Sequence, residues 1–490
     1  MLMTPAGTDD ALQIALAAWL PKARWFPLKS QSLTSLDIVA RVPLPTREEG
    51  GEFVVVDAIT AGGGGAGGGE QERHTFVVPI LWTTSGPIDA SDNAGIARWL
   101  SEAAIQGDGV HTATSSLVGV PTAAHVKPWQ AGHVSPLAAN SSNTLLAIDE
   151  ADAADEASVI LKLLRQVRPG IQPEVEIGRL FAATGSWPQT PRLRGALEWH
   201  HPSRGVAVVA VLHDRVPHAA SLWDHLLATL CRRSISVGQR GWGDGELRAT
   251  LAALGYVTAG MHRALAAETR DPAFGDEAWT PQLAAATSRA MTDHATSVFH
   301  AVTQAGARLP AAALLLLDEA MKHRDAWLAR LASLAQTAWK SRRIRVHGDY
   351  HLGQVLIRQD APERPLGERL FVIDFEGEPQ RSLNERRQKH AAAKDVAGML
   401  RSLDYLVRVA INEGAENLPH NAAEQLCGWF LGSYTAAAVG TCFWPTDPTE
   451  ARCLLDIYCL DKAIYELAYE ANNRPDWIEV PLKALLSMTP

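Results

Sequence analysis

The stretch RVHGDYHLGQVLIRQDAPERPLGERLFVIDFEGE, residues 345–378, decides the fold of the chain. It contains two apolar runs, 354–357 and 370–373, which flank a polar segment with Pro362, Pro365 and Gly367. Short apolar runs separated by turn-forming residues are typical of a β-hairpin. The sequence therefore predicts a pair of strands here.

Polar groups lie at one end of this predicted hairpin. His347, Asp349 and Gln354 precede or begin the first strand, whereas Asp374 and Glu376 follow the second. Phosphoryl transfer needs a base for the acceptor hydroxyl and metal ions at the phosphates. Asp349 has the chemistry of such a base, and the Gln354 amide oxygen and the Asp374 carboxylate are ligands of the kind that Mg²⁺ prefers. The pattern indicates a phosphotransferase site.

Two other interpretations of the segment stay open. His347, Asp349 and His351 alternate along it and thus share one side of an extended chain, which is compatible with a transition-metal hydrolase. A binuclear phosphoesterase needs further clusters, and the sequence has no second Asp-x-His and no Gly-Asn-His. In the second interpretation, His347 and Asp349 are buried and only fix the loop.

Composition excludes several classes of protein. The chain has 490 residues, enough for two to four domains, and 47% of them are hydrophobic, enough for sizeable cores. A formal net charge of -9 argues against nucleic-acid binding. The five cysteines lack CxxC spacing, and neither a signal peptide nor an apolar run of about 18 residues is present. We therefore expect a reduced, cytoplasmic protein that does not span a membrane.

The domain organisation is predicted from changes in periodicity. An apolar helix at 11–20 and strand-like runs at 53–59 and 74–82 come first, and the latter two are joined by a glycine-rich stretch without the Lys-Ser/Thr ending of a phosphate loop. Further β-like runs extend to residue 212, and helical periods dominate from residue 221 on. We expect a first part at 1–90, a β-rich part at 91–215 and a helical part at 216–490.

Lys162 lies inside the β-like run SVILKLL, residues 158–164. A lysine on a buried strand face needs an anionic partner, since desolvating an unpaired ammonium is costly. The next predicted helix, which begins at Pro173, offers Glu174 and Glu176. The alternative is a surface lysine on an edge strand, and the spacing alone does not decide between them.

Several motifs together resemble a known enzyme family. HGDYHLGQ followed by DFEGE is similar to the catalytic loop and metal motif of the aminoglycoside phosphotransferase-like kinases. Within this superfamily, several further stretches resemble the maltokinases. They are DFEGEPQRSLNERRQK, DVAGMLRSLDY, YELAYEANNRPDW, the early ARWF, and SSNT with LKLLRQVRPGIQPEVEIGRL. The resemblance spans most of the chain.

This resemblance implies an α+β, bilobal protein-kinase-like fold with an N-terminal cap subdomain, ATP between the lobes and a mostly helical C-lobe. It implies that Lys162 binds the α- and β-phosphates, with Glu176, or less directly Glu174, as its partner. Asp349 is then the base and His347 a structural residue, while Gln354, Asp374 and Glu376 belong to the Mg²⁺ site. Ser141, Ser142, Asn143 and Thr144 then cover the phosphates.

The resemblance also places the acceptor sugar and the supporting residues. Ion pairs of Arg386, Asp395 and Arg401 are expected to support the catalytic loop. For each acceptor candidate, core packing is an equally good interpretation. The candidates are Asp404, Tyr405, Tyr465, Glu470, Asn473, Arg474 and Trp477.

The implied reaction is transfer of the γ-phosphate of ATP to maltose, giving maltose 1-phosphate, in a trehalose-to-glycogen context. The expected partner is a small sugar, the expected state a monomer or weak homodimer, and no nucleic-acid or membrane partner is expected. Three motifs depart from the family: RWFPLKS replaces RWF-x-Gly-Lys, NSSNT lacks a Gln before SNT, and AAAK replaces Ser-Pro-Leu-Arg before Asp395.

These departures leave the catalytic triplet intact and concern the acceptor. Glucosamine kinases resemble maltokinases and share the HGDxHLGQ loop, so an amino sugar is the nearest alternative, followed by an aminoglycoside. A kinase-like binding module without activity is the alternative from another class. Against it, Lys162, Asp349, Gln354 and Asp374 are all present.

Overall fold

The structure is a computed structural model that describes residues 8–29, 33–46, 50–60, 71–123, 129–137, 143–151, 158–235, 245–267, 270–415 and 417–488. The chain divides into two compact units. Unit 1 comprises the residues up to 185 and residues 191–217, and unit 2 comprises residues 186–190 and those from 218 on. Each unit is described below by itself.

The first part of unit 1 is an antiparallel β-meander with one helix packed on it. The helix begins at Thr8, whose side-chain oxygen accepts a hydrogen bond from the Ala11 amide, which satisfies a free donor at the helix start. Its buried face, with Leu12 and Leu16, packs with Phe76 into one apolar cluster. These elements are α1 (Asp9–Trp19), β1 (Leu33–Pro43), β2 (Gly51–Thr60), β3 (Glu72–Thr83) and β4 (Gly86–Asp89).

The second part of unit 1 is a seven-stranded antiparallel sheet within the described residues, in the order β5-β6-β10-β11-β9-β8-β7. A helix packs so closely on it that a Cβ at Gly119 would lie 1.8 Å from the Ala103 oxygen, which only glycine avoids. The elements are α2 (Ala94–Gln106), β5 (Gly109–His111), β6 (Ser116–Pro121), β7 (Ala131–Pro136), β8 (Thr144–Glu150), β9 (Ser158–Leu163), α3 (Pro173–Thr184), β10 (Leu193–His201) and β11 (Gly205–Asp214).

Arg165 connects the two parts of unit 1. It is 2% exposed, and its guanidinium lies 4.3 Å from the Trp25 ring centroid and 3.4 Å from Asp89 of the meander. Its Nε donates to Thr144 Oγ1 at 3.0 Å, at the start of β8. Burial lowers the pKa of Arg165 to about 10 despite Asp89, and a cation this deeply desolvated is retained only where it is paired. The side chain thus ties the meander to the second sheet.

Unit 2 is mainly helical. Its strands are β12 (Ala219–Ser221), β13 (Asp276–Glu277), β14 (Arg343–Ile344), β15 (Val355–Arg358) and β16 (Leu370–Val372). The helices are α4 (Leu222–Ile235), α5 (Gly245–Ala267), α6 (Pro281–Gln304), α7 (Ala311–Lys322), α8 (Arg324–Ala332), α9 (Leu366–Arg369), α10 (Leu383–Arg386), α11 (Ala393–Asn412), α12 (Ala422–Ala438), α13 (Pro448–Asn473) and α14 (Glu479–Ser487).

The predicted hairpin is present, with corrected ends. Its antiparallel strands β15 and β16 pair Val355 with Val372, and β12 adds to the open edge of β15. Gln354 belongs to a 3-10 turn before β15, not to the strand, because its amide bonds back to the His351 carbonyl. The segment between the strands, which was predicted as a polar linker, contains the short helix α9 directly after Pro365.

A search of the described helices for a membrane-spanning segment was negative. None of them combines the length and the apolar character that crossing a bilayer requires.

Candidate active site

The loop 347–351 of unit 2 is held by the start of α11. The Asp395 carboxylate accepts hydrogen bonds from the His347 amide at 2.7 Å and from the Gly348 amide at 2.9 Å. Gly348 has φ +90°, a conformation that favours glycine. A Cβ at Gly398 on α11 would lie 2.5 Å from the Tyr350 oxygen, so the helix and the loop are in direct contact. The loop conformation is therefore set by α11.

A second layer holds Asp395 in turn. His262 on α5 is fully buried, with Nε2 3.0 Å from Asp395 Oδ2 and Nδ1 2.8 Å from the Tyr434 hydroxyl. Burial alone would raise the pKa of Asp395, but the His262 hydrogen bond and the loop amides outweigh it and lower the pKa. Asp395 thus contacts the loop through its backbone amides and is itself held by His262, whereas the expected support by ion pairs stays a prediction.

His347 lies beneath the loop and points away from solvent. It is 1% exposed, and its Nε2 is 2.9 Å from the Ile373 carbonyl, which directly follows β16. Its ring packs on Phe375 at a centroid distance of 4.8 Å. These contacts join the loop to the end of the hairpin, which is what a structural residue does.

Asp349 lies two residues after His347 in the same loop, and its side chain is 18% exposed. Its Oδ1 accepts a hydrogen bond from Lys462 Nζ at 2.8 Å, an ion pair to the middle of α13. Burial raises the pKa of Asp349, but the charges of Lys462 and of the neighbouring histidines outweigh burial and hold the pKa below its usual range. The carboxylate is therefore ionised at neutral pH, as a base must be.

Lys462 was missed by the sequence analysis. It stands 113 positions after Asp349, inside a helix whose motif drew attention to Tyr465 and Glu470. A lysine one turn before Tyr465 on the same helix face was the available signal, since residues three apart are neighbours on a helix surface.

The predicted metal ligands meet at the end of the hairpin. The Gln354 amide nitrogen donates to Asp374 Oδ2 at 2.8 Å. Asp374 has φ +67°, a strained conformation for a residue other than glycine, of the kind that is found at functional sites. Glu376 Oε2 lies 3.7 Å from Arg386 Nη1, so Arg386 supports this end of the hairpin. Two carboxylates and an amide oxygen form a donor set whose chemistry fits Mg²⁺.

In unit 1, Lys162 on β9 has a carboxylate partner on α3. Its Nζ lies 3.0 Å from Glu174 Oε2, and both side chains are largely buried. His213 Nε2 is 3.2 Å from the other Glu174 oxygen. Burial raises the pKa of Glu174, but Lys162 and His213 outweigh it and bring the pKa to about 2. The buried-lysine interpretation is therefore the one that the structure bears out.

The sequence expectation gave Glu176 as the partner of Lys162 and Glu174 as the less direct one. The structure places a Glu174 oxygen 3.0 Å from Lys162 Nζ. Glu174 is 4% exposed, and Glu176 is only partly buried. Both glutamates fall in the first turn of α3, and the role of Glu176 stays a prediction.

The stretch expected to cover the phosphates is only partly described. Ser141 and Ser142 lie outside the described residues, whereas Asn143 and Thr144 lie within them. Thr144 opens β8 and is the residue that Arg165 holds. The role of this stretch stays a prediction.

Four of the acceptor candidates form one cluster at the end of α13. The Tyr405 hydroxyl donates to Glu470 at 3.0 Å, and the Arg474 guanidinium donates to the same carboxylate at 2.6 and 3.0 Å. Trp477 stacks on Tyr405 with an interplanar angle of 15° and a centroid distance of 6.3 Å. Planar aromatic, guanidinium and carboxylate groups in contact are the groups that bind sugars.

The other three candidates lie elsewhere in unit 2. Asp404 accepts hydrogen bonds from Arg401 at 2.7 Å and from Arg408 at 3.1 Å, and thus belongs to an ion-pair network. The Tyr465 ring lies 4.3 Å from Lys462 Nζ. Asn473 is exposed, and its amide donates to the backbone of its own helix. Lys462 contacts both Tyr465 and Asp349 and thus links the two.

The fold is similar to that of kinases of known structure. A search of solved structures gives a glucosamine kinase in complex with glucosamine, ADP and inorganic phosphate, with a TM-score of 0.63, 21% identity and full coverage of both chains. A second crystal form of a glucosamine kinase gives a TM-score of 0.62 over 95% of this chain and 96% of that one. At this identity the likeness shows the fold.

The sequence comparisons match the N-terminal part of the chain to a family model. Residues 19–111 match the family model of the maltokinase N-terminal cap domain. The chain is 29% identical over 337 residues to the glucosamine kinase of Streptacidiphilus jiangxiensis, covering 67% of this chain and 68% of that protein. It is 26% identical over 294 residues to the glucosamine kinase of Mycolicibacterium smegmatis (strain ATCC 700084 / mc(2)155), covering 59% of this chain and 65% of that protein.

These findings confirm the resemblance drawn from the motifs. The chain has a kinase-like fold, carries a maltokinase-type cap domain and is similar to glucosamine kinases. At the level of class they support a carbohydrate phosphotransferase. They neither confirm maltose as its acceptor nor contradict it.

Proposed function

We propose that the chain is an ATP-dependent sugar kinase in which Asp349 is the catalytic base. The observation that carries the proposal is the position of the Asp349 carboxylate, on a loop fixed by Asp395 and within 2.8 Å of Lys462 Nζ. Phosphoryl transfer asks little covalent chemistry of a protein, so a fixed base and correctly held phosphates account for most of its needs.

Each residue set has its own step. Asp349 accepts the proton of the acceptor hydroxyl, whose oxygen bonds to the γ-phosphorus as the bond to ADP breaks. Lys162, held by Glu174, neutralises phosphate charge. Gln354, Asp374 and Glu376 are the residues that would hold Mg²⁺, which would offset the negative charge that develops on the phosphates.

For the acceptor, we propose an amino sugar such as glucosamine. The support is the likeness to two curated glucosamine kinases and to a solved one. The cluster of Tyr405, Glu470 and Trp477 fits this class, since it offers a ring platform beside a carboxylate. A carboxylate is the natural partner of the ammonium group that glucosamine carries at neutral pH.

Maltose, the acceptor that the motifs favoured first, is the second candidate. The observation in its favour is the match of residues 19–111 to the maltokinase cap domain. An uncharged disaccharide needs hydrogen bonds and ring stacking but no carboxylate. The two candidates therefore differ in how strongly they depend on the Glu470 charge.

The acceptor is tested by ADP release with ATP and Mg²⁺ across glucosamine, maltose, glucose, trehalose and an aminoglycoside. Turnover with glucosamine and none with maltose supports the amino-sugar proposal. Turnover with maltose alone contradicts the amino-sugar proposal and supports the sugar-kinase proposal. ATP binding without turnover on any acceptor contradicts the kinase proposal and favours a binding module.

The Glu470 carboxylate is expected to set acceptor affinity. Glu470→Gln keeps the size of the side chain and removes its charge, so we expect the KM for glucosamine to rise about tenfold or more while the KM for ATP stays within about twofold. Steady-state kinetics with each substrate varied in turn checks this. Glu479→Gln, which removes the partner of the half-exposed Lys483 on α14, is the matched control. An unchanged KM for the sugar removes Glu470 from the acceptor site.

The partner of Lys162 is tested by comparing two neighbouring glutamates. Glu174→Gln removes the charge 3.0 Å from Lys162 Nζ, so we expect the KM for ATP to rise about tenfold with a smaller loss of kcat. Glu176→Gln is the matched control and should change the KM for ATP less than about threefold. The reverse order of effects restores the original expectation and rejects Glu174.

A further inference from the structure

Lys462 is held from three sides within unit 2. Its Nζ lies 2.8 Å from Asp349 Oδ1, 3.6 Å from Glu378 Oε1 and 4.3 Å from the Tyr465 ring centroid. Its side chain is 15% exposed. Two carboxylates and the face of an aromatic ring compensate the loss of hydration, and together they raise the pKa of Lys462 in spite of its burial.

Glu378 fixes Lys462 from the hairpin side. It is 6% exposed and lies 3.7 Å from Lys394 Nζ and 3.5 Å from Arg381 Nε. The Lys462 side chain is therefore held by two carboxylates, that of the buried Glu378 and that of Asp349.

The ion pair uses only one oxygen of Asp349. Oδ1 accepts from Lys462, whereas Oδ2 has no hydrogen bond from any residue in the part of the chain that the structure describes. The carboxylate keeps 18% of its surface exposed. A proton acceptor must present a free oxygen in a fixed direction, and an anchor on the other oxygen provides it.

We propose that Lys462 is a positioning residue that anchors Asp349 through Oδ1 and leaves Oδ2 to accept the proton of the sugar hydroxyl. This inference rests on the proposed function. The hydroxyl proton passes to Oδ2, the sugar oxygen bonds to the γ-phosphorus, and the electron pair of the broken bond leaves with ADP. Lys462 neither takes up nor releases a proton in this step.

The charged and titratable groups that face Asp349 come from four elements. The loop supplies the histidines, the segment after β16 supplies the acid, α10 supplies the arginine, and α13 supplies the lysine and the tyrosine. Lys462 contributes more than any other neighbouring charge to lowering the pKa of Asp349. Its removal therefore raises this pKa, and the acidic limb of the pH–activity profile moves to higher pH. The six groups are His347, His351, Glu378, Arg386, Lys462 and Tyr465.

The test compares Lys462→Met with Lys462→Arg in the full chain, with glucosamine and maltose as acceptors. Met has a similar length without the charge. We expect Lys462→Met to lower kcat about 10²-fold, to change the KM for ATP less than about twofold and to move the acidic limb of kcat/KM up by about one pH unit. Lys462→Arg keeps the charge and should retain activity within about tenfold.

Lys483→Met is the control for the loss of a lysine, since its partner Glu479 and its 50% exposed side chain lie on α14. Rates are referred to folded protein by circular dichroism, and a merely structural role would not move the pH limb. Unchanged kcat and an unmoved limb in Lys462→Met, with an active wild type, overturn this role alone. A wild type that phosphorylates no sugar overturns the proposed function and this role with it.

Discussion

Asp349→Asn is expected to lower kcat about 10²–10⁴-fold, the range that a general base contributes. The asparagine amide has the shape of the carboxylate, and its oxygen still accepts from Lys462, so the loop stays in place. What is lost is the capacity to take the hydroxyl proton. The KM for ATP should therefore change little, and steady-state kinetics with ATP and with the sugar varied in turn separates these effects.

A matched control comes from the same hairpin. Asp360 is paired with Arg358 at 2.6 Å near the end of β15, away from the loop. Asp360→Asn should leave kcat within about twofold. Near-normal turnover of Asp349→Asn would remove Asp349 from the role of base and leave the fold assignment untouched.

Asp374→Asn is expected to have an effect of similar size, for another reason. Its carboxylate has the Gln354 amide at 2.8 Å and is held by a backbone with φ +67°. Mg²⁺ binds hard, charged oxygens best, and an amide in place of a carboxylate weakens such a site. We expect kcat to fall about 10²-fold or more at millimolar Mg²⁺, with partial recovery as Mg²⁺ is raised.

The recovery distinguishes this effect from a loss of folding. A Mg²⁺ titration of the ADP-release rate gives the apparent affinity of wild type and variant, and only the variant should need a higher concentration. Asp360→Asn again serves as the control. A variant whose lowered rate does not respond to Mg²⁺, or whose rate equals that of the wild type, contradicts the assignment of Asp374 as a ligand.

The sequence sufficed for what is local along the chain. The hairpin and the polar groups at its end follow from periodicity and turn residues over short distances. The loop contacts of His347 and the pairing of Gln354 with Asp374 lie within the same stretch. Because these contacts are local, the grouping of polar residues at the end of the hairpin could be predicted from the sequence.

What was missed depends on contacts between distant parts of the chain. Lys462 reaches Asp349 across 113 positions, and Arg165 reaches Asp89 across 76. The contact of Glu174 with Lys162 depends on the rotation of one helix against a strand. Such contacts are set by tertiary packing, and residue types alone do not encode which members of a helix face meet.

The acceptor shows the same limit. The planar residues near the C-terminus were named from a motif, yet only Tyr405, Glu470, Arg474 and Trp477 contact one another, while Asp404 joins Arg401 and Arg408. The two domain boundaries drawn at residues 90 and 215 and the roles of the site residues stay predictions. Maltose and glucosamine remain for the acceptor assay to separate.

The measurement that tests the central claim most directly is ³¹P NMR of the full chain with ATP, Mg²⁺ and glucosamine or maltose, run beside Asp349→Asn. The account predicts that a sugar phosphate resonance and ADP grow together in the wild type and that both are nearly absent in the variant. Equal growth of both signals in the variant, or ADP with inorganic phosphate and no sugar phosphate in the wild type, would contradict it.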